Sequence, residues 1–258
     1  MKVSILIVTY ARDLPFAWYA LRSIDKFATG FHSLTVVVPN QDVPAFAAIA
    51  GNAHVVGFNE RPFKGMLHHQ VMICRADELC PGADAILHMD ADCLFTEPVT
   101  PDDYIHDGKL VMLYQPYEEF RDWNNRYSWK KCVRDATGID PDLETMCRHP
   151  SIHIREVYPK VRELITEHVH GDWQEYVLSC RNEYPQTFAE FPTIGAVALK
   201  YFHDCYHWAK YPTHNDGSMP QLVREKMMAF WSHGGLNHMN ERHPGKTAKD
   251  AMEEILAK

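Results

Sequence analysis

Apolar residues along this chain follow two alternating rhythms: short unbroken runs, and stretches in which they recur at helical spacing. "VSILIV" (3–8) is a continuous, largely β-branched run, the pattern of a strand covered on both faces. It gives way to "TYARDLP", where Pro15 stands where the first turn of a helix tolerates a missing N–H. Leu14, Ala17, Leu21 and Ile24 then repeat at helical spacing, and Gly30 marks the stop. "LTVVVP" (34–39) predicts a second strand, "DVPAFAAIA" (42–50) a short helix and "AHVVGF" (53–58) a third strand. Residues 64–79 predict a helix with Leu67, Val71 and Cys74 on one face, and "AILHM" (85–89) and "KLVMLY" (109–114) predict two more strands. Strand and helix alternating in this way imply an α/β fold, a mainly parallel sheet with helices on both sides.

The second half reads differently. Residues 116–150 are dense in aromatic, charged and polar side chains ("YEEFRDWNNRYSWKKC") and predict a loop-rich, partly helical stretch. Ile152, Val157, Val161, Leu164 and Ile165 give an amphipathic helix opened by Pro150 and Ser151, and a second helix is expected over 172–182. "TIGAVALKYF" (193–202) fits helix and strand equally, and "KTAKDAMEEILAK" is a helical tail. No internal repeat or flexible linker divides the chain. One domain over 1–258 is expected, with residues 1–115 and 116–258 as two functional halves.

Composition narrows the function. With 258 residues, 46% hydrophobic and 23% charged, the chain can bury a sizeable core without disulfide staples. Its seven cysteines are odd in number and none is spaced as CxxC, so free thiols in a reducing cytoplasm are the expectation. The amino-terminal apolar run is too short for a secretory signal, and no stretch approaches the roughly 20 apolar residues of a membrane span. A soluble, cytoplasmic protein without a membrane span is therefore expected. A net charge of −8 argues against broad affinity for nucleic acid. The one basic-aromatic strip is "RYSWKKCVR" (126–134), which could follow a phosphate backbone.

The candidate chemistry lies in "DAILHMDADCLF" (84–95), where an apolar run ends on two carboxylates, Asp90 and Asp92. With 18 aspartates, chance alone supplies about one Asp-x-Asp, and a second does occur, Asp140 and Asp142 in "GIDPDL". That one brackets a proline in a polar loop and reads as a turn. The first lies just past a strand, and ligands of open α/β sheets bind outside the carboxyl ends of the strands. Residues i and i+2 of an extended stretch point the same way, so a hard divalent cation between them gains two oxygen ligands and cancels their repulsion. The bland alternative is a surface turn.

The segment "GMLHHQVMICRADELCPGADAILHMDADCLFTEP" (65–98) resembles the core of glycosyltransferases of the GT-A fold, and "SILIVTYARD" (4–13) resembles their first strand and nucleotide-facing loop. "EFPTIGAVAL" (190–199) is similar to a Glu-aromatic-x-x-x-Gly block of small bacterial and phage members of unassigned specificity. "RHPSIHIREVYPKVRELI" (148–165) and "FWSHGG" (230–235) match that set more loosely. Relatives often carry a Lys after the Gln of the helix, where this chain has Cys74 and Arg75.

The resemblance implies transfer of a sugar from a nucleotide-diphosphate sugar, UDP-linked foremost, to a hydroxyl of a glycan or of a hydroxymethylated DNA base. It implies manganese or magnesium at Asp90 and Asp92, the second carboxylate being the firmer ligand. A third ligand would be a histidine of the C-terminal part, His233 in "SHGG", with His214 and His238 as alternatives. Thr9, Tyr10, Arg12 and Asp13 would face base and ribose, although Asp13 before Pro15 also suits a helix cap. Gln70 would face the same crevice. Glu190 would stand beside the acceptor as the base that an alcohol nucleophile needs if the reaction inverts the anomeric centre, an outcome the sequence leaves open; its bland alternative is a structural Glu paired with an Arg. Trp123, Tyr127 and Trp129 offer rings to stack on a sugar or simply to pack.

Three other functions would leave different marks in the sequence. A sugar-nucleotide nucleotidyltransferase would show a Gly-rich loop after the first strand, and "TYARDLP" has no glycine. A metallohydrolase would want HExxH-like spacing, which "HHQ" (68–70) and "HDCYH" (203–207) lack. A non-catalytic nucleotide-sugar-binding protein would bind donor without turning it over.

Overall fold

Every residue of the first strand, β1 (Val3–Val8), is buried, because it runs down the middle of a five-stranded sheet of order β3-β2-β1-β4-β9. β2 (Ser33–Pro39), β3 (His54–Phe58) and β4 (Ala85–His88) run parallel to it. The register pairs Ile7 with Val36 and Leu6 with His88. The fifth strand, β9 (Ser151–Ile154), is antiparallel to β4 and closes the other edge. The computed structural model describes residues 1–61, 64–119, 124–146, 151–181, 187–211, 226–229 and 245–258, with the backbone alone for 124–128 and 228–229.

Helix α1 (Leu14–Phe27) has its proline in the first turn and buries Ala17, Leu21 and Ile24 of the predicted stripe, together with Ala20 and Phe27, while Leu14 is half-buried. After α2 (Val43–Ala47), the helix expected over 64–79 is two helices. These are α3 (Gly65–Ile73) and α4 (Ala76–Leu79), broken at Cys74 and Arg75. Past β4 comes a three-residue strand, β5 (Cys93–Phe95). A second sheet holds β6 (Ile105–His106), β7 (Lys109–Pro116) and β10 (Tyr206–Lys210) in the order β10-β7-β6, with β8 (Leu143–Glu144) paired to β7. The strand predicted at 109–114 therefore exists but belongs to this sheet, not the central one.

The polar stretch after residue 116 contains a 14-residue helix, α5 (Asn124–Thr137), which buries Cys132, Val133 and Ala136. The helix predicted from Ser151 begins only at Val157, as α6 (Val157–Val169). Ile152 and Ile154 lie on β9 instead, because pairing with β4 satisfies their backbone and buries both side chains. α7 (Trp173–Ser179) follows, capped by Asp172, whose side chain accepts from the Glu175 N–H at 2.8 Å. The ambiguous segment 193–202 is helix, within α8 (Glu190–Tyr201). β11 (Met227–Ala229) pairs antiparallel with β5, and the C-terminal helix (Ala248–Ala257) packs on α1. No helix among the described residues is long and apolar enough to cross a membrane. The six described cysteines are free thiols.

Candidate active site

The chain order of the central sheet locates the crevice. From β1 the chain moves outward through β2 and β3, then returns to place β4 on the other side of β1. The reversal opens a gap beyond the carboxyl ends of β1 and β4, the place where open α/β sheets receive ligands. Thr9 and Tyr10 stand at the end of β1, and Asp90 and Asp92 at the end of β4.

The β4 side is shaped by a tight turn. The Met89 N–H extends the ladder to the Leu6 carbonyl at 3.1 Å, and the Cys93 N–H closes back on the Asp90 carbonyl at 3.0 Å. This turn gathers the carboxylates of Asp90 and Asp92 with the Cys93 thiol, their ligand atoms all within 4.8 Å of one another. Among the described residues it is the one group of three side chains placed to hold a metal ion. The two carboxylates are half-buried and the thiol is buried. Burial, and then the charges of Asp90 and Asp92, push the Cys93 thiol well up, so it stays protonated. Its sulfur lies 3.9 Å from Asp92 Oδ1, a donor to that oxygen. The two carboxylate oxygens are the ligand type of a hard divalent ion. Cys93 went unnoticed in the sequence, although it directly follows the pair. His233, His214 and His238 lie outside the described residues, as does the "FWSHGG" turn.

The β1 side is cross-tied. The Thr9 N–H donates to the Val37 carbonyl at 2.9 Å, while its hydroxyl is buried without a partner. The Tyr10 hydroxyl donates to the Gly65 carbonyl at the start of α3, and its ring stands edge-on to Phe58 at 6.2 Å. Burial, then the nearby Glu60 carboxylate, raise the Tyr10 phenol above its usual range. A Cβ at Gly65 would sit 3.0 Å from Glu60 Oε1, so glycine keeps α3 close to this loop. The Ala11 N–H donates to Asp42 Oδ2 at 2.9 Å, and Asn40 donates to Asn59 at 2.6 Å, joining the loops after β1, β2 and β3. Glu60 and Asp42 were not picked out in the sequence, since nothing local distinguishes them from other loop acids. Asp13 occupies the N-cap position of α1 without a side-chain capping bond. It pairs instead with Arg12 at 3.5 Å, an exposed guanidinium.

Gln70 and Glu190 come together. Both are buried, and Gln70 Nε2 donates to Glu190 Oε2 at 2.7 Å and to the Phe188 carbonyl at 3.2 Å. Gln70 Oε1 is buried without a partner. Among the described residues, Glu190 is thus held by an amide and not by an Arg. It opens α8, and the next residue, Phe191, meets His88 edge-on at 5.3 Å and stacks on His153 at 6.2 Å. His88 is two residues before Asp90 on the same chain direction, so the start of α8 covers the end of β4. Beneath it His88 Nε2 and the Tyr158 hydroxyl share a hydrogen bond of 2.6 Å.

The basic strip is neutralised from within. Lys130 approaches Asp140 and Asp142 at 3.7 and 3.9 Å, Arg134 approaches Asp140 at 3.9 Å, and Lys131 pairs with Asp135. The second Asp-x-Asp is accordingly an ion-paired turn. Trp129 is half-buried on α5, while Trp123 and the Tyr127 side chain lie outside the described residues.

Residues 8–243 match the model of a family described as of unknown function, DUF6492. The chain belongs to DUF6492. No curated protein matches this DUF6492 member in sequence. Among solved structures, an active-site mutant of LgtC aligns over 98% of this chain and 95% of its own, at 12% identity and a TM-score of 0.53. The galactosyltransferase LgtC in complex with donor and acceptor sugar analogues aligns over 80% of this chain and 73% of its own, at 14% identity and a TM-score of 0.46. The first of these likenesses shows the fold, and with it the mainly parallel, helix-flanked GT-A architecture that the sequence resemblance implied.

Proposed function

We propose that this protein is a metal-dependent glycosyltransferase that moves a sugar from a nucleotide-diphosphate sugar, UDP-linked first among donors, to a hydroxyl acceptor. The observation that carries this reading is the Asp90–Asp92 pair at the reversal of strand order, within 4.8 Å of each other and facing the ends of β1 and β4. The shared GT-A architecture supports it. Residues 1–115 would bind the donor and 116–258 the acceptor.

Asp92 and Asp90 would hold manganese or magnesium, with His233 completing the set. Bound there, the ion supplies positive charge for the diphosphate as its bond to the anomeric carbon breaks. Thr9, Tyr10, Arg12 and Asp13 line the nucleotide side. The acceptor oxygen bonds to the anomeric carbon, the bond from that carbon to the diphosphate oxygen breaks, and the acceptor proton passes to Glu190. A glycan acceptor is favoured over DNA, because Lys130, Lys131 and Arg134 are paired to carboxylates and offer phosphates little free charge.

The test is a thermal-shift screen of UDP-, GDP- and dTDP-hexoses with and without manganese. Ligand at about 100 times its Kd adds about 2.7 kcal/mol, or about 5–10 °C for a chain of this size. Such a rise with manganese only, lost in Asp92→Asn, is expected. Release of nucleoside diphosphate by Asp92→Asn in chelator at the unaltered rate would overturn the assignment.

A further inference from the structure

The geometry points to Gln70 as a positioning residue that acts through Glu190 and does not bind the donor; this rests on the proposed role of Glu190 as base. Both neighbours of the Gln70 amide, Glu190 Oε2 and the Phe188 carbonyl, are acceptors, at 2.7 and 3.2 Å. The amide must therefore turn its NH₂ towards them, one hydrogen to each. With both hydrogens committed and Oε1 enclosed, Gln70 has nothing left to offer a ligand. Its two bonds grip the chain on either side of Ala189, where extended backbone turns into α8. Glu190 Oε2 is thereby fixed, and Oε1, with no partner among the described residues, is the oxygen left for an acceptor proton. Gln70 stands on α3, whose amino end is tied to the β1 loop by the Tyr10–Gly65 bond. One short helix thus spans from the nucleotide loop to the base. The titratable groups near this junction are Cys74 just past α3, His88 and His153 on β4 and β9, Tyr158 on α6, and Glu144 on β8, which packs on α8.

The test compares Gln70→Leu, Gln70→Glu and Glu190→Gln with the parent, by release of nucleoside diphosphate from UDP-, GDP- and dTDP-hexoses with manganese across pH. Gln70→Leu is expected to lower kcat by about tenfold to a hundredfold with donor KM unchanged. It should also move the acid limb of the profile to higher pH, since a carboxylate that loses a donor is disfavoured in its charged form. Gln70→Glu is nearly isosteric: with one proton on the pair the bond to Glu190 is kept and that to the Phe188 carbonyl is lost, and with none the two carboxylates repel. The variant should therefore gain an alkaline limb that the parent lacks. Manganese-dependent thermal shifts by UDP, unchanged in both Gln70 variants, would show the donor side intact. A rise in KM alone for Gln70→Leu, or no new alkaline limb for Gln70→Glu, would overturn the inference while Glu190→Gln, being inactive, leaves the function standing. Full activity in Glu190→Gln, or no turnover by the parent, would remove the base assignment and this inference with it.

Discussion

Replacing Gly195 with alanine tests how tightly α8, and with it Glu190, is seated. A Cβ at Gly195 would fall 1.8 Å from Thr145 Oγ1 and 2.6 Å from Thr145 Cβ. Rotating the threonine moves Oγ1 but leaves its Cβ in place. Helix and neighbouring strand end must therefore part by about 1 Å to reach ordinary carbon–carbon contact of about 3.5–4 Å. Overpacking on this scale costs about 3 kcal/mol, the upper part of its range. Alanine offsets about 1 kcal/mol by its better helix propensity, leaving a net loss of about 2 kcal/mol. At about 2–4 °C per kcal/mol for a chain of this size, calorimetry should show the midpoint fall by about 4–8 °C. Nucleotide release should fall too, because the displaced helix begins with Glu190. Adding Thr145→Gly removes the obstructing carbon and should recover most of the loss, a coupling that a double-mutant cycle reads directly. A midpoint that rises in Gly195→Ala, as at an unconstrained helical glycine, would refute the reasoning.

Asp77 and Arg162 join α4 to α6 by two bonds of 2.6 and 2.9 Å, with both side chains largely buried. Asp77→Ala leaves Arg162 the Cys74 carbonyl at 2.7 Å and Glu78 at 3.4 Å, and losing the two charge-assisted bonds should cost about 2 kcal/mol in urea unfolding; a loss below about 0.5 kcal/mol would show the pair to be solvent-screened. His153 is buried, and burial lowers its pKa from 6.5 to about 3. The unfolded chain takes up this proton first, so the stability due to a neutral His153 is lost as pH falls from about 6.5 towards 3, at up to about 1.4 kcal/mol per pH unit. His153→Phe keeps the ring beside Phe191 and should flatten that slope by one proton in denaturant midpoints taken from about pH 7 to about pH 4. An unaltered slope would place the proton uptake elsewhere.

The central sheet was legible because strands buried on both faces must be nearly uninterrupted apolar runs, and β1, β2 and β4 are such runs. β9 was not. Four residues are too few to show a period of their own beside the apolar stripe of α6, and only pairing with β4, far off in sequence, makes them a strand. α5 was hidden by its composition, since Cys132, Val133 and Ala136 are the buried apolar residues among its described side chains and make a faint stripe on a polar helix. β5 and β11, three residues each, are too short to show a period. At the candidate site the carboxylate pair was readable from its place after a strand. The Gln70–Glu190 bond was not, because no local pattern records a partner 120 positions away.

The β5–β11 ladder has a consequence for biosynthesis. Ala229 pairs with Cys93 and the Lys226 carbonyl accepts from the Thr96 N–H at 2.8 Å, so backbone synthesised long after β5 braces the stretch beside Asp92. A nascent chain can zip the central strands long before this partner leaves the ribosome, but contacts between such distant segments close last. Ribosome-bound intermediates, or chains clipped ahead of Lys226, should then show native-like helicity while the edge next to the carboxylates stays unsealed. The edge beside the two carboxylates therefore matures only after residues 226–229 have emerged.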